Sequence, residues 1–246
     1  MMTFLIVIHI FVFENYYFLG INTILKLKYS LSKYNPFEVT FFASSIFLSI
    51  VVLFDFMYIE YTLKLFCMFS LAFLYNSKTE QKNKWYFIAL FFATISNLFF
   101  IFQEISYLTI GLVSFIIYRV IILTIVIHAT QKFYFLAVLI GTILFLIPLI
   151  YFVLLSYDSF QDSLIPAIVN VILIAVLGGM SVSNYLMEPA EKNTWLLIST
   201  LLFAFLTVIF VIQKYYIFIP ILDSIRIIVL MGAHYIFYRY MLLTSN

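Results

Sequence analysis

The side chains that could hold an anion or move a proton are few in this chain, and several stand in apolar surroundings. Arg119 interrupts "GLVSFIIYRVIIL", and within four positions on either side its only ionisable neighbour is Tyr118. In a lipid-embedded run, a charge at mid-bilayer depth costs about 2.5–3.5 kcal/mol, so such a residue usually faces a protein interior and a partner. Asn97, Glu104, Asp223 or a phosphate oxygen of a bound lipid are the candidates. The alternative is a stem lying along apolar surface with its head at the interface. Near the C-terminus, in "LDSIRIIVLMGAHYIFYRYMLL", Asp223 and Arg226 are three apart and can pair on one helical face. His234 follows two turns later at nearly the same angle. Glu104, Asp223 and His234 are therefore the candidate proton-transfer residues. Asn97 in "TISNLFF" and Thr207 in "FLTVIF" are the other mid-run polar groups, suited to an interhelical hydrogen bond of about 0.6 kcal/mol or to a ligand.

Other chemistries find no footing. The sequence contains no "HExxH", no Gly-rich phosphate loop and no "GxSxG". His9, His128 and His234 are too far apart along the chain to read as a metal site, and Cys67, the only cysteine, excludes an internal disulfide or a cysteine cluster. No cofactor is implied. A net charge of +2 without a basic run gives nucleic acid nothing to bind.

The elements that must position these residues follow from composition. The 246 residues are 65% hydrophobic and 10% charged, with a mean hydropathy of +1.15. That is too little charge to solvate a surface in water, since an average soluble domain carries about 25%. The chain reads as an all-α integral membrane protein, a polytopic bundle of about eight transmembrane helices. Continuous apolar runs, without the alternation of lipid-facing strands, exclude a barrel. The expected spans are Phe37–Met57, Leu63–Asn76, Trp85–Phe102, Tyr107–His128, Phe133–Ser156, Leu164–Met187, Thr194–Gln213 and Pro220–Leu243, the second with room to extend back through Tyr58. Residues 1–36 form an N-terminal apolar segment plus a basic loop, and 37–246 a single transmembrane domain. Whether the opening "MMTFLIVIHIFVF" spans the bilayer depends on burying Glu14.

Lysine placement orients the bundle. With the loop before Phe37 cytoplasmic, Lys26, Lys28, Lys33, Lys78, Lys82, Lys84, Lys132, Lys192 and Arg239 fall inside. Glu104, Asp158 and Asp162 fall outside with Lys64, Lys214 and Arg226, and both ends of the eight-helix core are cytoplasmic. A bacterial inner membrane is the expected location.

A set of spaced positions resembles a known family. "TLKLF" places Lys64 at a Lys-Pro motif early in the second span, with Leu65 for the proline; "ISNLFF" puts Ser96 and Asn97 at a Gly-Asp motif in the third. "GLVSFIIYR" keeps Gly111, Leu112 and Phe115 of the fourth span, then has Arg119 where a histidine is usual. "LIPAIVNVILIAV" carries the proline of the sixth span as Pro166; "STLLFAFLT" retains Phe203 but has Leu206 and Thr207 at a Ser-Asp motif; "HYIFYRYML" keeps Tyr235 and has Arg239 for a glutamine. The pattern, from about Phe37 to the C-terminus, resembles the YhhN-like lysoplasmalogenase family. The resemblance implies hydrolysis of the vinyl-ether bond of lysoplasmalogens, and a binding set of Lys64, Asn97, Arg119, Thr207, Tyr235 and Arg239. Protonating the alkenyl carbon needs a positioned acid. Asn97 and Thr207 stand at the two matched acidic positions and cannot supply it, and Arg119 stays protonated.

Two readings therefore stand together. One is a divergent ether-lipid hydrolase using Glu104, Asp223 or His234. The other is a non-catalytic relative that binds a membrane lipid, in the manner of a lysophospholipid, or serves as a subunit of a membrane assembly. In the second, Arg119 with Arg239 could clasp an anionic head group in bidentate fashion. A transporter ranks below both, because no inverted repeat or paired intramembrane carboxylates are visible.

Overall fold

The structure is a computed structural model, and it describes residues 35–54, 56–102, 104–155, 163–215 and 219–245. The N-terminal apolar segment, with His9 and Glu14, and the acidic loop with Asp158 and Asp162 lie outside the described residues. Eight α-helices follow in order: α1 Pro36–Val51, α2 Met57–Lys78, α3 Lys84–Phe99, α4 Ile105–Ala129, α5 Phe135–Leu155, α6 Leu164–Met187, α7 Glu191–Tyr215 and α8 Pro220–Ser245. No strand occurs among the described residues. Among the described residues, seven helical segments are long and apolar enough to cross a membrane; α3, with 16 residues, is a shorter apolar helix.

Local chemistry sets several of these ends. Asn35 caps α1 by accepting from the Phe37 backbone N–H at 3.0 Å, and Pro36 follows at the first helical position, where a missing N–H costs nothing. Asn83 caps α3 in the same way through Trp85 N at 2.9 Å. The first span ends earlier than its apolar run suggests. Its last turn tightens into a 3₁₀ segment, Val52–Phe54, and Met57 already belongs to α2. The sequence marks the break only by Asp55, a single charge that the apolar residues on either side outweigh in hydropathy.

Seven helices pack in a closed cycle, α1–α2–α3–α4–α6–α7–α8 and back to α1, while α5 lies outside it against α6 and α7. The close approach of α5 to α6 needs glycine. A Cβ at Gly179 would collide with Thr142 Oγ1 and the Val138 carbonyl oxygen, and one at Gly178 would sit 2.6 Å from the Phe145 ring. Outward positions such as Phe42, Phe47, Ile140, Leu144 and Ile147 are exposed. In a bundle whose backbone bonds are satisfied within each helix, such side chains meet lipid tails. Inside the cycle lies a core that includes Tyr75, Tyr86, Tyr118 and Phe203, together with buried Glu60, Lys64, Asn97, Arg119 and His234.

Candidate functional site

Several polar residues of the interior gather toward one end of the bundle. Lys64 stands early in α2 and Arg226 early in α8; Asn97 is near the end of α3, and Thr207 is in the last third of α7. Antiparallel neighbours bring these positions to a common level. They line a cavity of about 680 Å³ of empty space measured out to its mouth, together with Asn170 of α6. Apolar groups from α4, α5, α6, α7 and α8, among them Leu112, Phe115, Val153, Leu206 and Leu230, complete the walls. Three residues that the sequence singled out in separate spans, Lys64, Asn97 and Thr207, thus share one chamber. Two of its polar groups have no hydrogen-bond partner, Asn97 Nδ2 and Asn170 Oδ1. Thr207 bonds within its own helix, donating to the Phe203 carbonyl at 3.0 Å.

Both cations of the cavity are already neutralised. Lys64 Nζ meets Glu60 Oε1 at 2.6 Å one turn earlier in α2. Arg226 pairs with Asp223 through Nη2 at 2.8 Å and Nε at 3.0 Å, as their spacing leads one to expect. Each pair presents donors to the cavity without adding net charge.

One helical turn deeper lies a second layer. Along α4 it is Arg119 beneath Phe115; along α7, Phe203 beneath Thr207; along α8, His234 beneath Leu230, each step being four residues. Arg119 is 2% exposed and does not snorkel. None of the protein side chains considered for it, Asn97, Glu104 and Asp223, hydrogen-bonds or ion-pairs with it in the described contacts. Its guanidinium carbon instead lies 4.5 Å from the centroid of the Phe115 ring and 5.7 Å from that of Phe203. Nε and Nη2 have no hydrogen-bond partner. The His234 ring packs on Phe203 at 5.3 Å, its Nδ1 lies 3.2 Å from the Tyr118 hydroxyl, and its Nε2 has no partner.

The remaining candidates lie elsewhere. Glu104 is an exposed residue at the start of α4, making no capping hydrogen bond, so it is not the buried acid that the apolar surroundings suggested. Tyr235 donates a hydrogen bond to Glu38 of α1 and stacks with Phe41. Arg239 stands over the Trp195 ring at 5.3 Å, near the start of α7. Arg239 and Arg119 therefore belong to different surroundings, and a shared clasp on one head group does not form. Glu60, Asn170 and Glu38 escaped the sequence reading. Glu60 and Lys64 have the i,i+4 spacing of a helical ion pair, and "IVNVIL" shows Asn170 as a lone amide in an apolar run. Glu38 offers no such signal, because its partner lies 197 residues away.

The model of the YhhN family matches residues 59–241. The chain belongs to the YhhN family. No curated protein matches it, and no solved structure does. The matched region takes in α3 to α7 entire and nearly all of α2 and α8, and so every helix that lines the cavity of this YhhN protein.

Proposed function

We propose that this YhhN protein binds a single-chain lipid of the lysophospholipid kind within the membrane, in the cavity at the Lys64–Arg226 end. The observation that carries this reading is the cavity itself. Its walls are apolar with a few convergent polar groups, the make-up of a small-molecule site. Leu112, Phe115, Leu206 and Phe210 suit a hydrocarbon chain. Asn97, Asn170 and Thr207 suit the hydroxyl and ether or ester oxygens of a glycerol backbone. The unpartnered Asn97 Nδ2 and Asn170 Oδ1 offer a donor and an acceptor that a ligand would satisfy.

Retention without cleavage is the primary reading. Vinyl-ether hydrolysis begins with proton delivery to the alkenyl carbon, followed by water addition and collapse to aldehyde and alcohol. The positions facing the cavity hold Asn97 and Thr207, Glu60 is committed to Lys64, and Glu104 is exposed. One observation favours cleavage as a second reading. Asp223 adjoins the cavity through Arg226, which holds only its Oδ1 in the described contacts.

One assay separates these outcomes. Purified protein in detergent is given a 1-alkenyl lysophospholipid, and both binding and fatty aldehyde are measured. Saturable binding that weakens in Thr207→Trp, with no aldehyde above a protein-free blank, is expected. Aldehyde release abolished by Asp223→Asn would transfer the assignment to the hydrolase. Absence of binding would reject the lipid site.

In the membrane, we place the ends bearing Lys78, Lys82, Lys84, Lys132 and Lys192 in the cytoplasm and the cavity mouth on the other face, by the bias of short basic loops. A bacterial inner membrane is the proposed setting.

A further inference from the structure

The layer beneath the cavity has an excess of donors and a missing anion. Buried Lys64 has Glu60, and Arg226 has Asp223, but Arg119 has no carboxylate contact among the described residues. Removing a charge from water without a partner costs several kcal/mol, and such groups persist where something compensates them. The neighbouring orphan is also a donor. A phenol hydroxyl is the better hydrogen donor and an imidazole nitrogen the better acceptor, so Tyr118 donates to Nδ1 of His234 and the ring proton sits on Nε2. Arg119 Nε–H, Arg119 Nη2–H and His234 Nε2–H are thus three donors with no acceptor, on side chains 2% and 1% exposed that pack against the same Phe203 ring. A guanidinium edge and a third N–H match an oxyanion, which accepts from several donors at once.

We propose that Arg119 and His234 form an anion subsite one turn below the cavity floor, where the phosphate of a single-chain lipid takes the place of the missing counterion. This rests on the lipid reading of the cavity and fixes which end of the lipid goes deepest. Phe115 is the partition between the two levels, since its ring both lines the cavity and covers the guanidinium. Occupancy of the subsite requires that ring to turn aside. The lipid enters head first, its charge at Arg119, its glycerol beside Asn97 and Thr207, and its chain toward the mouth. An aromatic face attracts the guanidinium in the empty state, which keeps Arg119 in place before an anion arrives.

The test uses the full chain in nanodiscs of a zwitterionic lipid, with three probes: oleoyl lysophosphatidate, the uncharged monoolein, and inorganic phosphate. Lysophosphatidate is expected to bind more tightly than monoolein. Arg119→Gln should remove about thirtyfold of its affinity, the weight of hydrogen bonds between charged groups, and leave monoolein unchanged. Arg119→Met should raise the melting temperature of the ligand-free protein, since it removes an unpaired buried charge, while abolishing the upward shift that lysophosphatidate gives the wild type. His234→Phe should weaken lysophosphatidate without affecting monoolein. A phosphate-induced shift that depends on Arg119 would assign the same oxyanion site to free phosphate as well as to a head group. Unchanged lysophosphatidate affinity in Arg119→Gln, with monoolein still bound, would overturn the subsite and leave the cavity reading intact. Failure of the wild type to bind either lipid would overturn both.

Discussion

At the scale of single residues, ionisable groups in the interior are governed by who neutralises them. Glu60 and Lys64 form a buried pair one turn apart, and their contribution is asymmetric. Removing one partner leaves a charge in a low-dielectric site, at a cost of about 3–5 kcal/mol, whereas replacing both with apolar groups is near neutral. Glu60→Gln is therefore expected to lower the melting temperature in detergent strongly, and Glu60→Leu with Lys64→Met to recover most of the loss. A double variant no more stable than the worse single would show that the pair holds the fold by more than charge balance. The candidate acids are unequal in the same sense. Exposed Glu104 reaches no cavity group in the described contacts, so Glu104→Gln is expected to leave lipid binding unchanged within about twofold, an effect of at most ~0.5 kcal/mol. A loss of tenfold or more in the same titration would bring the loop before α4 into the site.

At the scale of elements, the decisive contact is between α5 and α6. The helices approach where Gly141 faces Gly179: a Cβ on Gly141 would stand 2.9 Å from the Gly179 Cα. Gly179→Ala is expected to destabilise by about 1–3 kcal/mol or more, because the obstacle is the Val138 backbone oxygen rather than a side chain that can turn away. Gly232→Ala in α8 is the control. Its nearest neighbour would be Leu202 at 4.0 Å, so the better helix former should be neutral or stabilising by up to about 1 kcal/mol. Thermal unfolding followed by circular dichroism ranks the two, and equal melting temperatures would contradict the close α5–α6 packing.

The same elements show what a sequence can and cannot disclose. Membrane helices were legible because each is a long apolar run ended by a cap or a short polar loop, as with Asn83 before α3. The turn at Val52–Phe54 was not, because the apolar residues around it outweigh Asp55, the one charge at the break. Asn97 and Thr207 stood out as polar groups in apolar runs and Lys64 by its place in the family pattern, but that they share a chamber depends on helix order around the cycle. Periodicity within one helix carries no information about that order. Arg119 was legible as an anomaly and not as a geometry: its neighbours are two phenylalanines, one of them 84 positions away, counted as 203 − 119.

At the scale of the whole molecule, the cavity, the ion pairs and the exposed Glu104 lie toward one set of loops, while Lys78, Lys82, Lys84, Lys132 and Lys192 lie toward the other. The proposed orientation makes this an asymmetric device, with a lipid entrance away from the cytoplasm. In intact bacterial cells, a membrane-impermeant thiol reagent should label Glu104→Cys and leave Lys82→Cys unlabelled until the cells are broken. Buried Cys67 gives a low background. Labelling in the reverse order would invert the molecule.

Native mass spectrometry of protein released from mild detergent shows whether a single-chain lipid occupies the interior of this YhhN protein. A one-to-one adduct with the mass of a monoacyl or monoalkenyl phospholipid is expected on the wild type, lost in Thr207→Trp, where an indole fills the chamber, with the melting temperature retained. Wild-type protein free of such an adduct even after incubation with lysophospholipid, or an adduct that survives the filled cavity, would contradict lipid occupancy of the interior.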